Sequence, residues 1–333
     1  MINIEDIVNL SHDAGKLILD IYQSNNFEQQ LKSDSSPLTK ADLASHKLIV
    51  NRLRELTPNI PILSEESTNI AWQERKGWQE YWLIDPLDGT KEFIKKNGEF
   101  TVNIALIKNN APVLGVVYAP VLETTWVGEV NKSAIKITPK GRVGIKSIRH
   151  QANETWNVVG SRSHQSDEFR SYVDKLEGEV NIVSMGSSIK LCLVAEGAAH
   201  IYPRLGLTSE WDTAAAHAVV NSAGGKVIDF NTGQELCYNT KESLLNPLGY
   251  QLRVQIVAYL MMNFQNALID EFFGFGDKFV MEKFENQLTD KLHQTSSLII
   301  ASHNMDLIHK FCNRIVEIDN GSIINDYRID SPK

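Results

Sequence analysis

Four carboxylates stand where predicted strands end or where a predicted helix begins. They are Glu65, Asp85, Asp88 and Asp212. Strand ends that lead into loops are the places where α/β proteins build their sites. Carboxylate oxygens with no histidine or cysteine close by in the sequence suit magnesium rather than zinc. Two such ions about 3.5–4 Å apart can stabilise both the attacking and the leaving oxygen of a phosphoryl transfer.

The segment Asp85-Pro86-Leu87-Asp88-Gly89-Thr90 is the most informative short stretch. Pro86 forces a turn directly after the first acid, so Asp88 can point back into the same site. Gly89 lets the backbone approach an anion closely, and the helix predicted to begin at Thr90 would offer free N–H groups to a phosphate. An Asp-rich turn that caps a helix explains the same residues, and this segment alone does not decide between the two.

The other acids have ordinary structural explanations when each is taken alone. Glu65 would be a solvated strand end, and Asp212 would be a helix N-cap. Asp42 follows Thr39 in a capping box. The segment 186–188, Gly-Ser-Ser, precedes a predicted helix and is either a second anion cradle or a cap. The order of these segments along the chain, rather than any one of them, predicts a metal-dependent phosphoryl-transfer site.

Bulk composition limits the classes of function. The chain has 333 residues, of which 42% are apolar and 22% charged, which is typical of a soluble protein with a core. Its net charge is −8, so it is a poor candidate for nonspecific nucleic-acid binding. An acidic chain that binds an anionic substrate needs metal ions to supply positive charge.

The cysteines and the apolar segments indicate a cytoplasmic location. Cys192, Cys237 and Cys312 are far apart and form neither a disulfide framework nor a zinc motif. The N-terminal segment carries acids early and does not resemble a signal peptide. The most apolar run, 254–262, is too short to span a bilayer.

Hydrophobic periodicity predicts the elements that would position the acids. We expect helices over 4–22, about 39–56, 188–196 and 212–223. Short strands over 60–63 and 81–84 lead into the acids, strands over 100–107 and 113–118 form a hairpin about Asn109-Asn110, and residues 128–150 form an exposed ribbon.

Three segments resemble the motifs of the inositol-monophosphatase superfamily. They are LSEE at 63–66, WLIDPLDGTKEF at 82–93 and WDTAAAHAVV at 211–220. The stretches 85–107, 186–204 and 243–247, together with Lys91-Glu92 in place of the usual Thr-Asn, resemble the bisphosphate-nucleotidase branch. The resemblance covers about residues 1–250, with an N-terminal metal-binding half at 1–130 and a C-terminal αβ half at 150–250. It implies an α/β fold, an α-β-α-β-α sandwich.

The resemblance also implies roles for single residues. Magnesium would be bound by the carboxylates of Glu65, Asp85, Asp88 and Asp212 and by the backbone carbonyl of Leu87. Thr90, with Glu65, would orient and activate a metal-bound water, and Asp42 would support Thr90 and a further metal. The substrate contacts would be Glu65, Leu87, Asp88, Gly89, Thr90, Gly186, Ser187 and Asp212. Lys190, Arg162, His164 and Arg204 could meet the 5′-phosphate or the nucleoside, although a solvated surface charge is the expectation for each.

The implied activity is magnesium-dependent, lithium-sensitive hydrolysis of a small molecule. The 3′-phosphate of 3′-phosphoadenosine 5′-phosphate would be released by in-line attack of water, without a covalent intermediate, which removes a by-product of sulfate assimilation. A broader phosphatase acting on inositol phosphates or sugar phosphates remains the alternative. Comparing phosphate release from the two substrate classes would separate these hypotheses.

Residues 253–333 follow a boundary expected at about 249–253 and resemble a different family. Asn266–Glu271 resembles the Walker B strand, and Ser302-His303 the switch histidine, of the ATP-binding cassette ATPases of polysaccharide exporters. The phosphate-binding motif G-x-x-x-x-G-K-[ST] occurs nowhere in the chain, so this incomplete P-loop-ATPase-like tail is expected not to bind ATP.

Several histories and roles fit this tail. It is either a natural fusion or an assembly artefact, and its strands would lack their former partners, which predicts looser order or loose docking. A non-enzymatic role, with weak association at the inner face of the membrane through a transporter, is a further hypothesis. So is an inactive fusion in which the tail causes aggregation.

Overall fold

A computed structural model describes most of the first 253 residues and four short strands beyond them. The described residues are 2–24, 30–31, 37–151, 153–161, 166–230, 232–247, 250–253, 266–270, 297–301, 314–319 and 322–328. The chain divides into two compact units, Met1–Asp174 with Gly178–Val254, and Lys175–Glu177 with Gln255–Lys333.

The described helices and strands alternate along the chain. The helices are α1 Ile4–Ser24, α2 Lys40–Leu56, α3 Trp72–Arg75, α4 Thr90–Ile94, α5 Asp167–Val173, α6 Ile189–Ala195 and α7 Trp211–Ser222. The strands of the first unit are β1 Gln30–Leu31, β2 Pro37–Leu38, β3 Ile62–Ser64, β4 Glu80–Asp88, β5 Thr101–Lys108, β6 Ala111–Ala119, β7 Thr124–Glu129, β8 Ile135–Thr138, β9 Gly141–Gly144, β10 Trp156–Ser161, β11 Val180–Met185, β12 Ile201–Arg204, β13 Lys226–Asp229 and β14 Tyr250–Arg253. The strands of the second are β15 Asn266–Asp270, β16 Ser297–Ala301, β17 Arg314–Asp319 and β18 Ser322–Arg328.

A seven-stranded sheet with the order β3-β4-β5-β6-β7-β8-β9 forms the centre of the first unit. β3 runs parallel to β4, and the other neighbours are antiparallel. The predicted hairpin is confirmed, because Asn109 and Asn110 connect β5 to β6 with φ values of 50° and 63°, which a tight hairpin turn requires. The predicted ribbon at 128–150 is β8 and β9, which extend the same sheet, and only β9 is fully exposed.

Helices cover both faces of this sheet. Side chains alternate along β4, so Tyr81 and Leu83 pack with α6 and α7 in one core, whereas Trp82 and Ile84 pack with α1 and α2 in the other. Because both faces are buried, β4 and β5 read as continuous apolar runs rather than alternating ones.

A five-stranded sheet with the order β11-β10-β12-β14-β13 lies on the far side of α6 and α7. Its other face is covered by α5, whose Phe169 packs at Gly160 and Ile182. The layers therefore run helix pair, sheet, helix pair, sheet, helix. β14 pairs with both β12 and β13, so the strand pairing of the first unit continues to Arg253.

Two glycines let α7 lie very close to the seven-stranded sheet. Gly115 on β6 and Gly128 on β7 are direct cross-strand partners. A Cβ at Gly115 would lie 2.1 Å from the carbonyl oxygen of Ala215, and one at Gly128 would lie 2.4 Å from that of Ala218. The absence of these side chains therefore sets the depth at which α7 packs.

The second unit is described only at its strands. β15 pairs with β16 in parallel, and β17 pairs with β18 in antiparallel orientation. The Walker B-like segment therefore contains β15, while Glu271 and Ser302-His303 lie outside the described residues. Among the helices that the structure describes, none combines the length and the apolar character that a bilayer span requires.

Candidate active site

A β-bulge at the end of β4 brings two acids to one side of the strand. Asp85 pairs with Asn103 and Asp88 pairs with Thr101, so three steps on β4 oppose two steps on β5. In a regular strand, residues 85 and 88 would face opposite sides of the sheet. The extra residue in the bulge reverses that alternation. The sequence-based expectation that the strand stops at Ile84 was wrong, because a bulge accommodates proline within the strand.

Three carboxylates converge where β4 ends and α7 begins. One carboxylate oxygen from each of Asp85, Asp88 and Asp212 lies within 4.8 Å of those of the other two. Asp85 is only 1% exposed, and the other two side chains are partly buried. The structure therefore brings together acids that are more than a hundred residues apart in the sequence.

The electrostatics of this carboxylate group are unfavourable without a cation. Burial, followed by the charges of Glu65, Asp88 and Asp212, raises the pKa of Asp85 well above its ordinary value. Burial and the neighbouring Asp88 raise the pKa of Asp212 to about 8. The donors are all oxygens, which is the donor set that magnesium prefers. The residues present therefore fit a hard divalent cation.

Glu65 joins the group from the end of β3. Its backbone amide donates to the carbonyl of Ile84 at 3.1 Å, which extends the pairing of β3 with β4 by one step. A hydrogen bond between the carboxyl groups of Glu65 and Asp85 contributes to the raised pKa of Asp85. Such a bond requires one of the two acids to hold a proton, and a bound cation would replace that proton.

Thr90 is the first residue of α4 and lies against Asp42. Its hydroxyl donates to Asp42 Oδ1 at 3.2 Å, while the second oxygen of Asp42 accepts bonds from the backbone amide of Thr39 at 2.8 Å and from its hydroxyl at 2.5 Å. The predicted capping box at Thr39 and Asp42 is confirmed. The structure therefore links a helix cap on α2 to the hydroxyl at position 90.

The backbone of the bulge is held in place from two sides. The amide of Leu87 donates to Asp85 Oδ1 at 3.1 Å, and the hydroxyl of Ser45 donates to the carbonyl of Pro86 at 2.8 Å. The carbonyl of Leu87 lies 3.4 Å from the hydroxyl of Thr90. These bonds fix the peptide that carries the proposed backbone ligand.

Asp212 is the second residue of α7 rather than its N-cap. Its Oδ2 accepts a bond from the backbone amide of Ser209 at 2.8 Å. Asn246 holds this segment, since its side-chain amide donates to the carbonyl of Ser209 at 2.7 Å and to the hydroxyl of Thr213 at 3.2 Å. The C-terminal segment 243–247 therefore supports the loop that orients Asp212.

The turn at 186–188 does not present its amides as the expected anion cradle. The amide of Gly186 donates to Glu99 Oε2 at 2.8 Å, and the amide of Ser188 donates to Asp88 Oδ2 at 2.6 Å. Two of its N–H groups are therefore engaged with carboxylates of the chain, and α6, which follows, has only seven residues. Gly89, at a φ of 92°, passes so close to this turn that a Cβ there would lie 3.2 Å from that of Ser187.

A cavity of about 310 Å³ opens beside the carboxylates. Its lining includes Asp88, Gly89 and Asp212 and also Lys190, Tyr202, Arg204 and Phe169. The Lys190 ammonium lies 5.8 Å from the centre of the Tyr202 ring. Lys190 and Arg204 line the cavity, whereas Arg162 and His164 lie outside the described residues.

Sequence reasoning missed three residues of this site. They are Asn103, Phe169 and Tyr202. Asn103 is a polar residue in the middle of the apolar strand β5, and it is the one of the three that could have been found from the pattern alone. The aromatic residues resemble ordinary core until the two sheets are placed around the cavity.

Known proteins match the first three quarters of the chain. The model of the inositol monophosphatase family matches residues 4–261. The 3′(2′),5′-bisphosphate nucleotidase CysQ of Salmonella typhimurium is 49% identical over 253 residues, which are 75% of this chain and 99% of that protein. Its counterpart from Escherichia coli K12 is 46% identical over the same length.

A solved structure agrees with these matches. The crystal structure of CysQ from Bacteroides thetaiotaomicron, a bacterial member of the inositol monophosphatase family, superposes with a TM-score of 0.66 at 40% identity. The superposition covers 75% of this chain and 96% of that one. Residues after 261 lie outside the family match. The layered sandwich, the convergent carboxylates and the family match together show that this chain belongs to the inositol monophosphatase family.

Proposed function

We propose that the chain hydrolyses the 3′-phosphate of 3′-phosphoadenosine 5′-phosphate to give AMP and inorganic phosphate, with magnesium as cofactor. The observation that carries the proposal is a cavity lined both by Asp88 and Asp212, two members of the carboxylate group, and by two basic side chains, Lys190 and Arg204. The bisphosphate nucleotidases named above, which are nearly half identical to this chain over almost their whole length, support the same activity.

The cation would be held by the proposed ligands at the ends of β3 and β4 and at the start of α7. They are the carboxylates of Glu65, Asp85, Asp88 and Asp212 and the backbone carbonyl of Leu87. When bound, magnesium supplies positive charge to the phosphate oxygens and to the leaving group. The carboxylates repel one another and would repel a substrate phosphate, and a bound cation would offset that repulsion.

The hydroxyl oxygen of Thr90 is available to accept a hydrogen bond from the attacking water. Asp42 Oδ2 is already occupied by two donors from Thr39, so Oδ1 accepts the hydroxyl proton of Thr90. With its own proton directed to Asp42, the hydroxyl oxygen of Thr90 keeps lone pairs for an incoming water. Thr90, Glu65 and Asp42 are therefore proposed as the catalytic residues.

The basic and aromatic part of the cavity lining suits the nucleoside 5′-phosphate. Lys190 and Arg204 offer charge-assisted hydrogen bonds to a phosphate, and Tyr202 and Phe169 offer aromatic surface for a base or ribose. Gly89, Gly186 and Ser187 also line the cavity and remain proposed substrate contacts. An inositol monophosphate has no second phosphate to use these basic side chains.

A broader phosphatase acting on inositol phosphates or sugar phosphates is the competing proposal. The match to the inositol monophosphatase family does not by itself choose between the two substrates. The proposed metal ligands would serve any phosphate ester equally. The basic side chains Lys190 and Arg204 in the cavity lining favour the bisphosphate nucleotide, because its second phosphate is the anionic group that they could bind.

Phosphate release from 3′-phosphoadenosine 5′-phosphate and from inositol 1-phosphate, each with magnesium, tests the proposal. We expect rapid release from the nucleotide and little from the inositol ester. Chelation with EDTA should abolish release, and added magnesium should restore it, because the carboxylates alone repel the substrate phosphate. A chain that is folded by circular dichroism yet releases phosphate only from the inositol ester would contradict the nucleotide assignment.

Lys190→Ala should weaken nucleotide binding without affecting the chemical step. The lost charge-assisted contact is worth about 1.5–3 kcal/mol, so KM for the bisphosphate should rise by about ten- to a hundredfold. Release from a substrate with a single phosphate should be unchanged within about twofold. Lys132→Ala, on an exposed turn where the side chain pairs with Glu129, is the matched control. An equal loss on both substrates would place Lys190 outside the second-phosphate site.

The tail from residue 253 is proposed to be a truncated ATP-binding cassette fragment that does not bind ATP. The parallel pairing of β15 with β16 is compatible with the αβ order of that family. The missing phosphate-binding motif argues against nucleotide hydrolysis. Cytoplasmic location is proposed for the whole chain. Peripheral association with the inner face of the membrane remains a hypothesis that rests on the tail alone.

A further inference from the structure

Ser188 and Asn103 form a buried polar pair beside the carboxylates. Each is only 1% exposed. The side-chain amide of Asn103 donates to the hydroxyl oxygen of Ser188 at 2.8 Å and lies 3.4 Å from Asp88 Oδ2. Ser188 begins the segment that leads into α6, whereas Asn103 lies on β5 directly opposite Asp85. The pair therefore connects the two halves of the first unit at the site.

One oxygen of Asp88 is fully engaged by this pair. Asp88 Oδ2 lies 2.6 Å from the backbone amide of Ser188 and 2.5 Å from its hydroxyl. A carboxylate oxygen has two lone pairs, so these two donors satisfy Oδ2. The other oxygen of Asp88 is then the one left for a cation, and the carboxylate cannot rotate without breaking both bonds.

The same hydroxyl also reaches the second ligand segment. Ser188 Oγ lies 2.8 Å from the backbone carbonyl of Asp212. The hydroxyl carries a single proton, and the charged Asp88 oxygen at the shorter distance is the stronger acceptor. Ser188 nevertheless contacts both segments, so it sets the separation between an acid at the end of β4 and an acid at the start of α7.

The orientation of the Asn103 amide agrees with this role. Its Nδ2 faces Ser188 and Asp88, while its Oδ1 is buried with no hydrogen-bond partner among the described residues. An unsatisfied buried carbonyl is costly, so the orientation is favourable only if the donor faces a negative charge. Asn103 therefore supports Ser188 and adds a weak contact to the carboxylate.

We propose that Ser188, supported by Asn103, is a positioning residue of the metal centre, whose hydroxyl fixes the carboxylate of Asp88 relative to Asp212 and thereby sets the affinity for the divalent cation. The proposal depends on one part of the proposed function, which is that the carboxylates bind a metal. It assigns Ser188 no contact with the reacting atoms. Groups that orient metal ligands usually change metal affinity or activity by about 10- to 100-fold when removed.

The decisive measurement is the affinity of the substrate-free protein for Mn²⁺, followed by electron paramagnetic resonance. We expect Ser188→Ala to weaken Mn²⁺ binding at least about tenfold. Ser11→Ala is the matched control, because Ser11 is equally buried, donates to a backbone carbonyl, and lies on α1 at the opposite face of the seven-stranded sheet. This control should bind Mn²⁺ as the parent does.

Kinetics separate positioning from chemistry. The magnesium concentration for half-maximal phosphate release should rise in Ser188→Ala in proportion to the loss of Mn²⁺ affinity, while kcat at saturating magnesium stays within about threefold of the parent. Ser188→Thr keeps the hydroxyl and should restore most of the affinity. An unchanged Mn²⁺ affinity in a folded Ser188→Ala protein would overturn the proposal.

A second variant covers the case in which Ser188→Ala does not fold. Asn103→Leu is nearly isosteric and removes the donor to Ser188, so it should weaken Mn²⁺ binding in the same direction, and unchanged affinity would overturn the proposal. If the parent chain binds Mn²⁺ but releases phosphate from neither substrate, the proposed function fails while the comparison of Mn²⁺ affinities still decides the role of Ser188.

Discussion

Asp85→Asn should lower kcat/KM for phosphate release by about 10³-fold or more. A metal ion contributes several kcal/mol to the stabilisation of the transition state, and each 1.36 kcal/mol corresponds to a factor of ten. Asparagine keeps the shape of the side chain, and its Oδ1 can still accept the bond from the amide of Leu87. The loss would therefore report the missing negative charge rather than a collapsed bulge.

The same substitution should stabilise the metal-free protein. The pKa of Asp85 is raised in the folded chain, so the folded state holds its proton more tightly than the unfolded state does. Above the ordinary value of 3.8, ionising Asp85 therefore costs stability, and a neutral asparagine avoids this cost. The gain in Tm over the parent, measured in EDTA, should be present at pH 8 and should vanish near pH 4.

Two comparisons make the Asp85→Asn result decisive. Asp20→Asn, which changes an exposed acid on α1, should alter neither activity nor Tm. Saturating magnesium should raise the Tm of the parent more than that of Asp85→Asn, because a cation that binds only the folded state stabilises it by about 2.7 kcal/mol at a hundred times Kd. An active Asp85→Asn protein, or one with a lower Tm in EDTA at pH 8, would show that Asp85 is not part of a metal centre.

Gly115→Ala should destabilise the first unit by about 1–3 kcal/mol or more, which lowers Tm by about 2–4 °C for each kcal/mol. The new Cβ would lie 2.1 Å from the carbonyl oxygen of Ala215 and 2.8 Å from the Cβ of Ala218. Backbone atoms cannot escape by a change of rotamer, so α7 has to move away from the sheet. Because Asp212 lies in the first turn of α7, metal affinity should fall as well.

A glycine elsewhere in the same sheet provides the control for Gly115→Ala. A Cβ added at Gly144 on β9 would have no atom within 4 Å, and this residue does not have a positive φ. Gly144→Ala should be neutral or should stabilise by up to about 1 kcal/mol, through the loss of freedom in the unfolded chain. Equal Tm values for Gly115→Ala and the parent would mean that the close contact of α7 with β6 is not a packing constraint.

Both predictions concern features that limit the stability of the folded chain, namely the repulsion among the carboxylates and the close packing of α7 on the sheet. Buried carboxylates repel one another, and a helix pressed onto a sheet tolerates no extra methyl group. Without a cation, the cost of the carboxylates is borne by the folding energy of two cores, one on each face of the seven-stranded sheet. Activity and stability of the metal-free chain are therefore expected to change in opposite directions at Asp85.

The sequence was most informative where the contacts are local. The capping box of Thr39 and Asp42 spans four residues, and the hairpin loop at Asn109-Asn110 has two, so residue type and spacing define both. The helices α1, α2, α6 and α7 were predicted to within two residues at their ends, whereas the short helices α3 and α5 were not predicted. The candidate ligands were identified from short motifs, and their binding of magnesium stays a prediction.

Other features depend on pairing between distant segments, and the sequence did not show them. The bulge in β4 exists because β5 pairs on both sides of it, so reading residues 85–90 alone suggested a turn. The segment 186–188 was interpreted as either an anion cradle or a helix cap, and the sequence did not show that Glu99 and Asp88 reach the amides of Gly186 and Ser188 from the other half of the unit.

By itself, the sequence determined the types of the acidic residues, their order and the local caps that surround them, since these depend on neighbours within a few positions. The tertiary structure alone decided that Asp85, Asp88 and Asp212 meet, that Lys190 faces their cavity, and that Ser188 joins Asp88 to Asp212. The physical reason is that each of these relations depends on the depth at which α6 and α7 pack between two sheets. At Gly115 and Gly128 the lack of a side chain lets the backbone of α7 approach the sheet closely, and this sets that depth.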